Sequence, residues 1–120
     1  MIDSIQGIRW GITLRSEDRV IGTCGFFNWS KKHYKAEIGY ELSPEYWSRG
    51  YMTEVLESAI DFGFKDLGFN RIQALIHPEN VKSRGLLEKS GFTEEGLLNE
   101  YYFKKNRFVD AVIFSKLKKE

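Results

Sequence analysis

The sequence predicts an α/β fold in which one mixed sheet carries two helices, in the order β-β-β-α-β-α-β-β. Two patterns support this. Stretches near both ends alternate apolar and polar residues, as strands do, and a central stretch, residues 52–63, repeats apolar residues at helical spacing. Because a strand lies between the helices, the sheet should be parallel around the helix crossover and antiparallel at its ends. The whole chain, residues 1–120, is predicted to form one domain.

Three strands are predicted before the first helix. In the first, Ile8, Trp10, Ile12 and Leu14 alternate with polar residues or glycine. A polar turn at residues 16–19 leads to a second strand at residues 20–27, and these two strands should form a hairpin. A polar loop at residues 28–33 then precedes a third strand at residues 35–42.

A helix is predicted to follow the third strand. The apolar residues at helical spacing are Met52, Val55, Leu56, Ala59, Ile60 and Gly63. The helix should begin at about Gly50 and stop before Gly68, which suits a helix end. Residues 71–77 alternate again and predict a fourth strand, which Pro78 ends because proline has no N–H to donate.

The last third of the chain predicts a second helix and a hairpin. The helix covers residues 79–90, and Gly91 follows it where a left-handed cap is needed. The hairpin pairs residues 97–103 with residues 108–117. Its turn contains Asn106, which can take a positive φ.

Composition argues against several classes of function. The net charge of +1 supplies no field that would attract nucleic acid or an anionic membrane. The one cysteine, Cys24, can form neither an internal disulfide nor a metal site, so it is interpreted as a buried strand residue. The sequence shows no signal peptide and no apolar run that could span a membrane. A cytoplasmic location is therefore expected, without nucleic-acid or membrane partners.

The segment from Ile38 to about Phe64 carries the first chemical signal. A strand ends, a short loop turns, and an amphipathic helix begins at about Gly50. The first N–H groups of a helix have no internal partner and carry partial positive charge, which suits a pyrophosphate group. Gly50 would let phosphates come close, and Arg49 adds a formal charge. The alternative for this segment alone is an ordinary helix start beside a solvated arginine.

A second segment, residues 77–92, places polar groups near the start of the second predicted helix. Asn80 suits the N-cap position and Ser83 lies one turn further along, so both could face the same cleft. The alternative is that Asn80 only caps the helix and Ser83 only bonds back to it.

Together these segments resemble the GNAT acetyltransferases, in particular the branch of ribosomal-protein alanine N-acetyltransferases and their spermidine- and antibiotic-modifying relatives. The match runs from about residue 19 to residue 118, in order and with the family's spacing. The matching positions are residues 37–44, 46–51, 78–80, 83, 87–89, 91–92, 95–96 and 108–110. The resemblance implies a sheet in which the third and fourth strands splay apart.

The resemblance also implies acetyl-CoA as co-substrate and no metal. Its pantetheine arm would pair with the edge of the third strand, its phosphates would lie on N–H groups of residues 47–52, and Asn80 and Ser83 would line the far side of the arm. The expected cofactor-binding residues are Tyr40, Glu41, Leu42, Trp47, Ser48, Arg49, Gly50, Tyr51, Met52, Thr53, Asn80, Ser83 and Arg84.

The sequence departs from the family pattern at several positions. Ser48 stands where the branch often has glycine, and Met52 is bulkier than usual, so its side chain should turn away from the phosphates. Leu87 occupies the position of the tyrosine acid of many GNAT enzymes. Leu75 and Tyr102 occupy positions where some relatives have a glutamate base. Relative to the family pattern, the first strand and two helices are expected to be missing, which favours a homodimer.

The expected reaction is attack of a neutral amine on the acetyl thioester. A base must remove the amine proton, and an N–H group, expected from residues 40–42, must stabilise the oxyanion. Glu37 is the candidate base and Ser83 the candidate acid, while Tyr102 is a third candidate near the acceptor mouth. The alternatives are a surface strand glutamate for Glu37 and a core or rim aromatic residue for Tyr102.

Three hypotheses for function follow. The first is an N-acetyltransferase acting on a protein N-terminus or a small amine. The second is a module that binds acetyl-CoA without turnover and is completed by dimerisation. The third is a structural or interaction protein that is stable as a dimer. Binding of CoA separates the third from the others, and thiol release with amines separates the first from the second.

Overall fold

The computed structural model describes residues 7–14 and 19–119. Its strands are β1 (Gly7–Thr13), β2 (Val20–Ser30), β3 (Lys35–Leu42), β4 (Arg71–Ile76), β5 (Thr93–Lys104) and β6 (Arg107–Leu117), and its helices are α1 (Tyr51–Lys65) and α2 (Val81–Lys89). A 3₁₀ turn, Pro44–Tyr46, lies between β3 and α1. The predicted order of strands and helices is confirmed. Most of the turn predicted at residues 16–19 lies outside the described residues.

The six strands form one sheet in the order β1-β2-β3-β4-β6-β5. Neighbouring strands are antiparallel, except that β3 and β4 are parallel and are joined by the α1 crossover. The mixed α/β architecture predicted from the sequence is therefore correct. Neither helix of the described residues could cross a bilayer, since the longer one, α1, has only 15 residues.

Strand β2 is longer than predicted. It continues past Phe27 to Ser30, and its register against β3 shifts between those two residues. Asn28 and Trp29 of β2 together oppose Ala36 of β3, which is the two-against-one arrangement of a β-bulge. The polar loop predicted at residues 28–33 was therefore wrong for residues 28–30, which belong to the bulged strand, and correct for residues 31–33, which lie in the turn before β3.

The second helix and the hairpin start at different residues from those predicted. Helix α2 begins at Val81 because Asn80 is its N-cap, whose Oδ1 accepts the Ser83 N–H at 3.1 Å. Strand β5 begins at Thr93, four residues earlier than expected. The left-handed conformations predicted for Gly91 and Asn106 are confirmed, with φ of 90° and 63°.

The sheet has two faces that differ in what covers them. Both helices pack on one face, called here the helix face. Phe62 of α1 lies 5.7 Å from Trp10 between ring centroids, and Arg84 of α2 lies 5.5 Å over the Phe114 ring. In the part of the chain that the structure describes, no helix covers the other face, called here the open face. Glu37 points to that open face, because strand residues alternate and Ala36 and Ile38 belong to the core.

The two central strands separate along their length. Strands β3 and β4 pair only at Lys35↔Arg71, Ala36↔Ile72 and Glu37↔Gln73. Beyond these pairs, β3 continues to Leu42 and β4 to Ile76, and their facing edges have no partner strand in the part of the chain that the structure describes. The splay that the family resemblance implied is therefore present, and it opens a gap through the middle of the sheet.

Candidate functional site

The loop between β3 and α1 presents a row of unpaired backbone N–H groups. Ser48 and Gly50 both have positive φ, 66° and 82°, which turns the chain tightly into the helix. Glu54 is the first residue whose N–H bonds back into this turn, to the Gly50 carbonyl at 3.2 Å. Among the described residues, the N–H groups of residues 48–53 have no acceptor, and no side chain caps the helix. Such a row is suited to an anion.

A cleft of about 220 Å³ lies in front of these N–H groups. Its lining residues are Leu42, Tyr46, Trp47, Ser48, Gly50, Met52, Thr53, Lys82, Leu86 and Lys89. The two lysines come from α2 and bring positive charge to the side opposite the loop. The sequence reasoning missed them. Their spacing with Leu86, at positions i, i+4 and i+7 of one helix face, is the signal that could have found them.

Side-chain contacts hold the loop in place. The Trp47 indole N–H donates to the Leu42 carbonyl at 3.0 Å, which ties the loop to the end of β3. Tyr46 is buried, its hydroxyl accepts a bond from Arg19 at 2.7 Å, and the Arg49 guanidinium lies 5.6 Å over its ring. Met52 is only 3% exposed, so its side chain turns into the core as its bulk predicts.

The open edge of β3 leads from this cleft into the gap. The Ser43 N–H bonds to the Ile21 carbonyl at 2.8 Å, so the odd-numbered residues of β3 bond towards β2. In an antiparallel pair the alternate residues point the other way. The N–H and C=O groups of Tyr40 and the N–H of Leu42 therefore face the gap, where an extended ligand could pair with them.

On the helix face, Tyr40 and Ser83 meet beside the gap. The Tyr40 hydroxyl is buried and has no hydrogen-bond partner of good geometry among the described residues. Burial raises the pKa of this phenol, and the nearby Ser83 side chain partly offsets the rise. Tyr40 is thus a protonated hydroxyl at neutral pH that makes no hydrogen bond of good geometry. The sequence reasoning expected only its backbone to contribute.

On the open face, a shallow cavity of about 740 Å³ adjoins the same gap. It includes Tyr40 and Leu75, which lie on the two splayed strands, and it reaches Lys104 on the β5–β6 hairpin. Two of the candidate catalytic residues lie on this face. Glu37 is 9% exposed, and its negative charge, together with burial, raises the pKa of Tyr102. Tyr102 therefore stays protonated at neutral pH, which suits a proton donor and not a base.

The remaining candidate residues are spread around these cavities. Glu41 is exposed and lines the open-face cavity, and Tyr51 packs with its ring 6.2 Å from that of Tyr46. Asn80 is occupied in capping α2. Arg84 forms an ion pair with Glu94 and lies over Phe114, so the structure does not bring it to the residues lining the 220 Å³ cleft.

Comparison with known proteins identifies the family. A model of the acetyltransferase (GNAT) domain matches residues 2–93. The chain belongs to the GNAT acetyltransferases. Its mixed sheet, its splayed central strands and its uncapped helix after the third strand are thus features of a GNAT domain, as the sequence resemblance implied.

Relatives extend this assignment. The chain is 43% identical over 115 residues to the uncharacterized N-acetyltransferase p20 of Bacillus licheniformis, covering 96% of this chain and 65% of that protein. It superposes on the ribosomal-protein-S5-alanine acetyltransferase of Vibrio fischeri with a TM-score of 0.91 and 27% identity, covering 99% of this chain and 66% of that one. It also superposes on the spermidine N-acetyltransferase of Vibrio cholerae in complex with CoA and spermine, with a TM-score of 0.87, 26% identity and coverage of 98% and 69%. The chain thus spans about two-thirds of the length of the relatives it matches.

Proposed function

We propose that this GNAT domain transfers the acetyl group of acetyl-CoA to a primary amine, either a protein N-terminus or a small amine. One observation carries the proposal: the row of free N–H groups at residues 48–53 and the free edge of β3 end at the same cleft. A ligand with a pyrophosphate at one end and an extended amide-bearing arm can satisfy both. The likeness to a relative crystallised with CoA supports this choice of ligand.

The residues present fit such a ligand. The N–H groups of residues 48–53 would bind the pyrophosphate, with Lys82 and Lys89 supplying charge from the opposite side. The free C=O group of Tyr40 and the free N–H of Leu42 would pair with the amides of the arm. Acetyl-CoA supplies an acetyl group already activated as a thioester. We propose that residues 1–120 act as one such domain.

The side chains around the gap can carry the proton transfers. Glu37, on the open face, would accept the proton of the attacking amine. As the nitrogen bonds to the acetyl carbon and the C–S bond breaks, a hydroxyl of Tyr40 or Ser83 would donate to the departing sulfur. The Tyr40 N–H faces the gap and would stabilise the negative charge that develops on the carbonyl oxygen.

The second candidate is a module that binds acetyl-CoA without turnover and is completed by dimerisation. The uncovered open face favours it, because the acceptor cavity has no wall opposite the sheet among the described residues. For both candidate functions, the transferase and the binding module, we propose a homodimer in which the second subunit would supply this wall. We keep an amine as the acceptor because the named relatives act on spermidine or on a protein alanine.

Calorimetric titration with CoA tests the binding step. The wild-type chain should bind, and a Lys82→Ala, Lys89→Ala variant should bind about tenfold more weakly, with the difference shrinking at high salt. Lys65→Ala is the matched control, because Lys65 pairs with Asp61 at the far end of α1, and it should bind like the wild type. No binding at millimolar CoA would overturn the proposal.

Thiol release from acetyl-CoA tests the turnover step. Spermidine, spermine and a peptide with an N-terminal alanine are the acceptors to compare. Release that depends on one of these amines supports the transferase, whereas tight CoA binding without release in any mixture would favour the non-catalytic module.

A further inference from the structure

On the open face, the neighbours of Glu37 hold its carboxylate in one orientation. Its Oε1 accepts two hydrogen bonds, from the Asn28 Nδ2 and from the Gln73 Nε2, each 3.3 Å long. Its Oε2 accepts no hydrogen bond from the described residues. It is also not one of their fully buried polar side-chain atoms that lack a partner. One oxygen is therefore held by amides, while the other remains accessible.

Asn28 reaches Glu37 because of the β-bulge. In a regular strand the residue after Phe27 would point to the helix face, since Phe27 pairs with Glu37. The extra residue and the φ of 52° at Asn28 redirect its side chain to the open face. Asparagine tolerates a left-handed backbone conformation better than most residues do, but this conformation costs more free energy for asparagine than for glycine. A non-glycine residue at such a position next to a candidate base calls for an explanation beyond strand geometry.

Gln73 is held in one amide orientation by its other neighbour. The Arg71 Nε donates to the Gln73 Oε1 at 3.0 Å, and arginine has no acceptor, so the Gln73 NH₂ group must face Glu37. Arg71 is fixed in turn by two bonds to Glu95, of 3.0 and 2.7 Å, and Glu95 accepts the Ser115 hydroxyl. Gln73 is also the partner of Glu37 in the last parallel pair before the strands separate.

We propose that Asn28 and Gln73 are positioning residues that hold Glu37 Oε1, so that Oε2 is presented to the acceptor amine at the mouth of the gap. This inference rests on the proposed transferase function and deepens it. The two amides bind one oxygen of the Glu37 side chain and restrict its rotation, which lowers the cost of orienting the base in each turnover. The relay through Arg71, Glu95 and Ser115 extends the support to β5 and β6.

Asn28→Gly separates positioning from a structural role. Glycine adopts φ of 52° without strain, so the free energy of unfolding should be unchanged or higher. If Asn28 positions Glu37, kcat should nevertheless fall about 10- to 100-fold, with CoA affinity unchanged. Gln73→Met, which keeps length without a donor, should give the same loss of kcat. The matched control is Lys105→Gly, because Lys105 has φ of 51° at the hairpin tip and should gain stability with normal kcat.

A measurement on the free protein distinguishes the failure of this inference from that of the proposed function. In a ¹⁵N spectrum, Glu37→Ala should shift the side-chain NH₂ signals of Asn28 and Gln73, while those of Asn70 and Asn106 stay in place. Unmoved signals, or full kcat in Asn28→Gly and Gln73→Met, would overturn the positioning role. A wild-type chain that never turns over would overturn the proposed function and the positioning role with it, even if the hydrogen bonds are seen.

Discussion

The two sides of the central gap are built in different ways. The cofactor side uses backbone N–H groups of one continuous segment, residues 48–53, and needs few particular side chains. The open face instead uses side chains from five strands, among them Glu37 from β3, Gln73 from β4 and Tyr102 from β5. A backbone site tolerates substitution as long as the loop conformation survives, whereas a side-chain site fails when one group is lost. Variants on the two sides should therefore differ in which step they impair.

The largest expected effect is that of Glu37→Gln on the open face. The amide keeps the size of the side chain but cannot accept a proton, so turnover should fall about 10²- to 10⁴-fold, the range of general-base catalysis. The Kd for CoA should not change, because Glu37 does not line the phosphate cleft. Single-turnover acetyl transfer and calorimetry on the same preparation check both expectations. Weaker CoA binding by Glu37→Gln would contradict the expectation that the two sides of the gap affect different steps.

Tyr40→Phe tests a side chain that lies beside the gap. Removing a buried hydroxyl without a partner should leave stability unchanged or raise it, by up to ~1 kcal/mol. If the hydroxyl donates to the departing sulfur, turnover should fall about tenfold. Urea unfolding and steady-state rates measure the two quantities. Because burial raises the Tyr40 pKa, its loss of a proton should not limit wild-type activity until the pH exceeds its ordinary value of 10.0. If Tyr40→Phe turned over at the wild-type rate, Ser83 would be left as the proposed proton donor to the departing sulfur.

In the loop before α1, two substitutions should change the free energy of unfolding in opposite directions, because one relieves backbone strain and the other introduces it. Ser48→Gly should stabilise the fold by about 0.5–1 kcal/mol, because φ of 66° is unfavourable for serine. Gly50→Ala should destabilise it by about 1 kcal/mol, although an added Cβ would meet no atom within 4 Å. Urea unfolding measures both. If both variants changed the free energy of unfolding in the same direction, the left-handed turn would be contradicted. CoA binding should survive Ser48→Gly, as expected for a site made of backbone N–H groups.

The smallest effect concerns the relay behind Glu37. The Arg71 guanidinium and the Ser115 hydroxyl lower the pKa of Glu95 from 4.5 to about 2. A carboxyl group with a depressed pKa in the folded state stabilises the fold above its unfolded pKa, and this contribution is lost as the pH falls from about 4.5 towards 2. The pair is partly exposed, so the contribution should stay below ~1 kcal/mol. Acid unfolding of Glu95→Gln should be less dependent on pH in this interval. An unchanged pH dependence would argue against a formed Arg71–Glu95 pair.

Much of the fold and of the cofactor side could be predicted from local sequence. Apolar spacing located α1, and Gly50, Asn80 and Gly91 marked where helices begin or end, because capping depends on neighbouring residues alone. The prediction failed at residues 28–30. There a polar stretch suggested a loop, but pairing with β3 absorbed Asn28 into a bulged strand. Lys82 and Lys89 were missed because their role depends on where α2 lies relative to the loop. The catalytic roles of Ser83, Glu37 and Tyr102 remain predictions.

The sequence by itself determined the order of the elements, the left-handed conformations of Gly91 and Asn106 and the family to which the chain belongs, because these depend on residues that are close together along the chain. Only the tertiary structure decided what surrounds Glu37. Asn28, Gln73 and Tyr102 come from three other strands, and they meet Glu37 through the strand register, a one-residue bulge and the order in which β3, β4, β6 and β5 pair. A one-residue shift in register would turn these side chains to the other face of the sheet, and no local pattern records that choice.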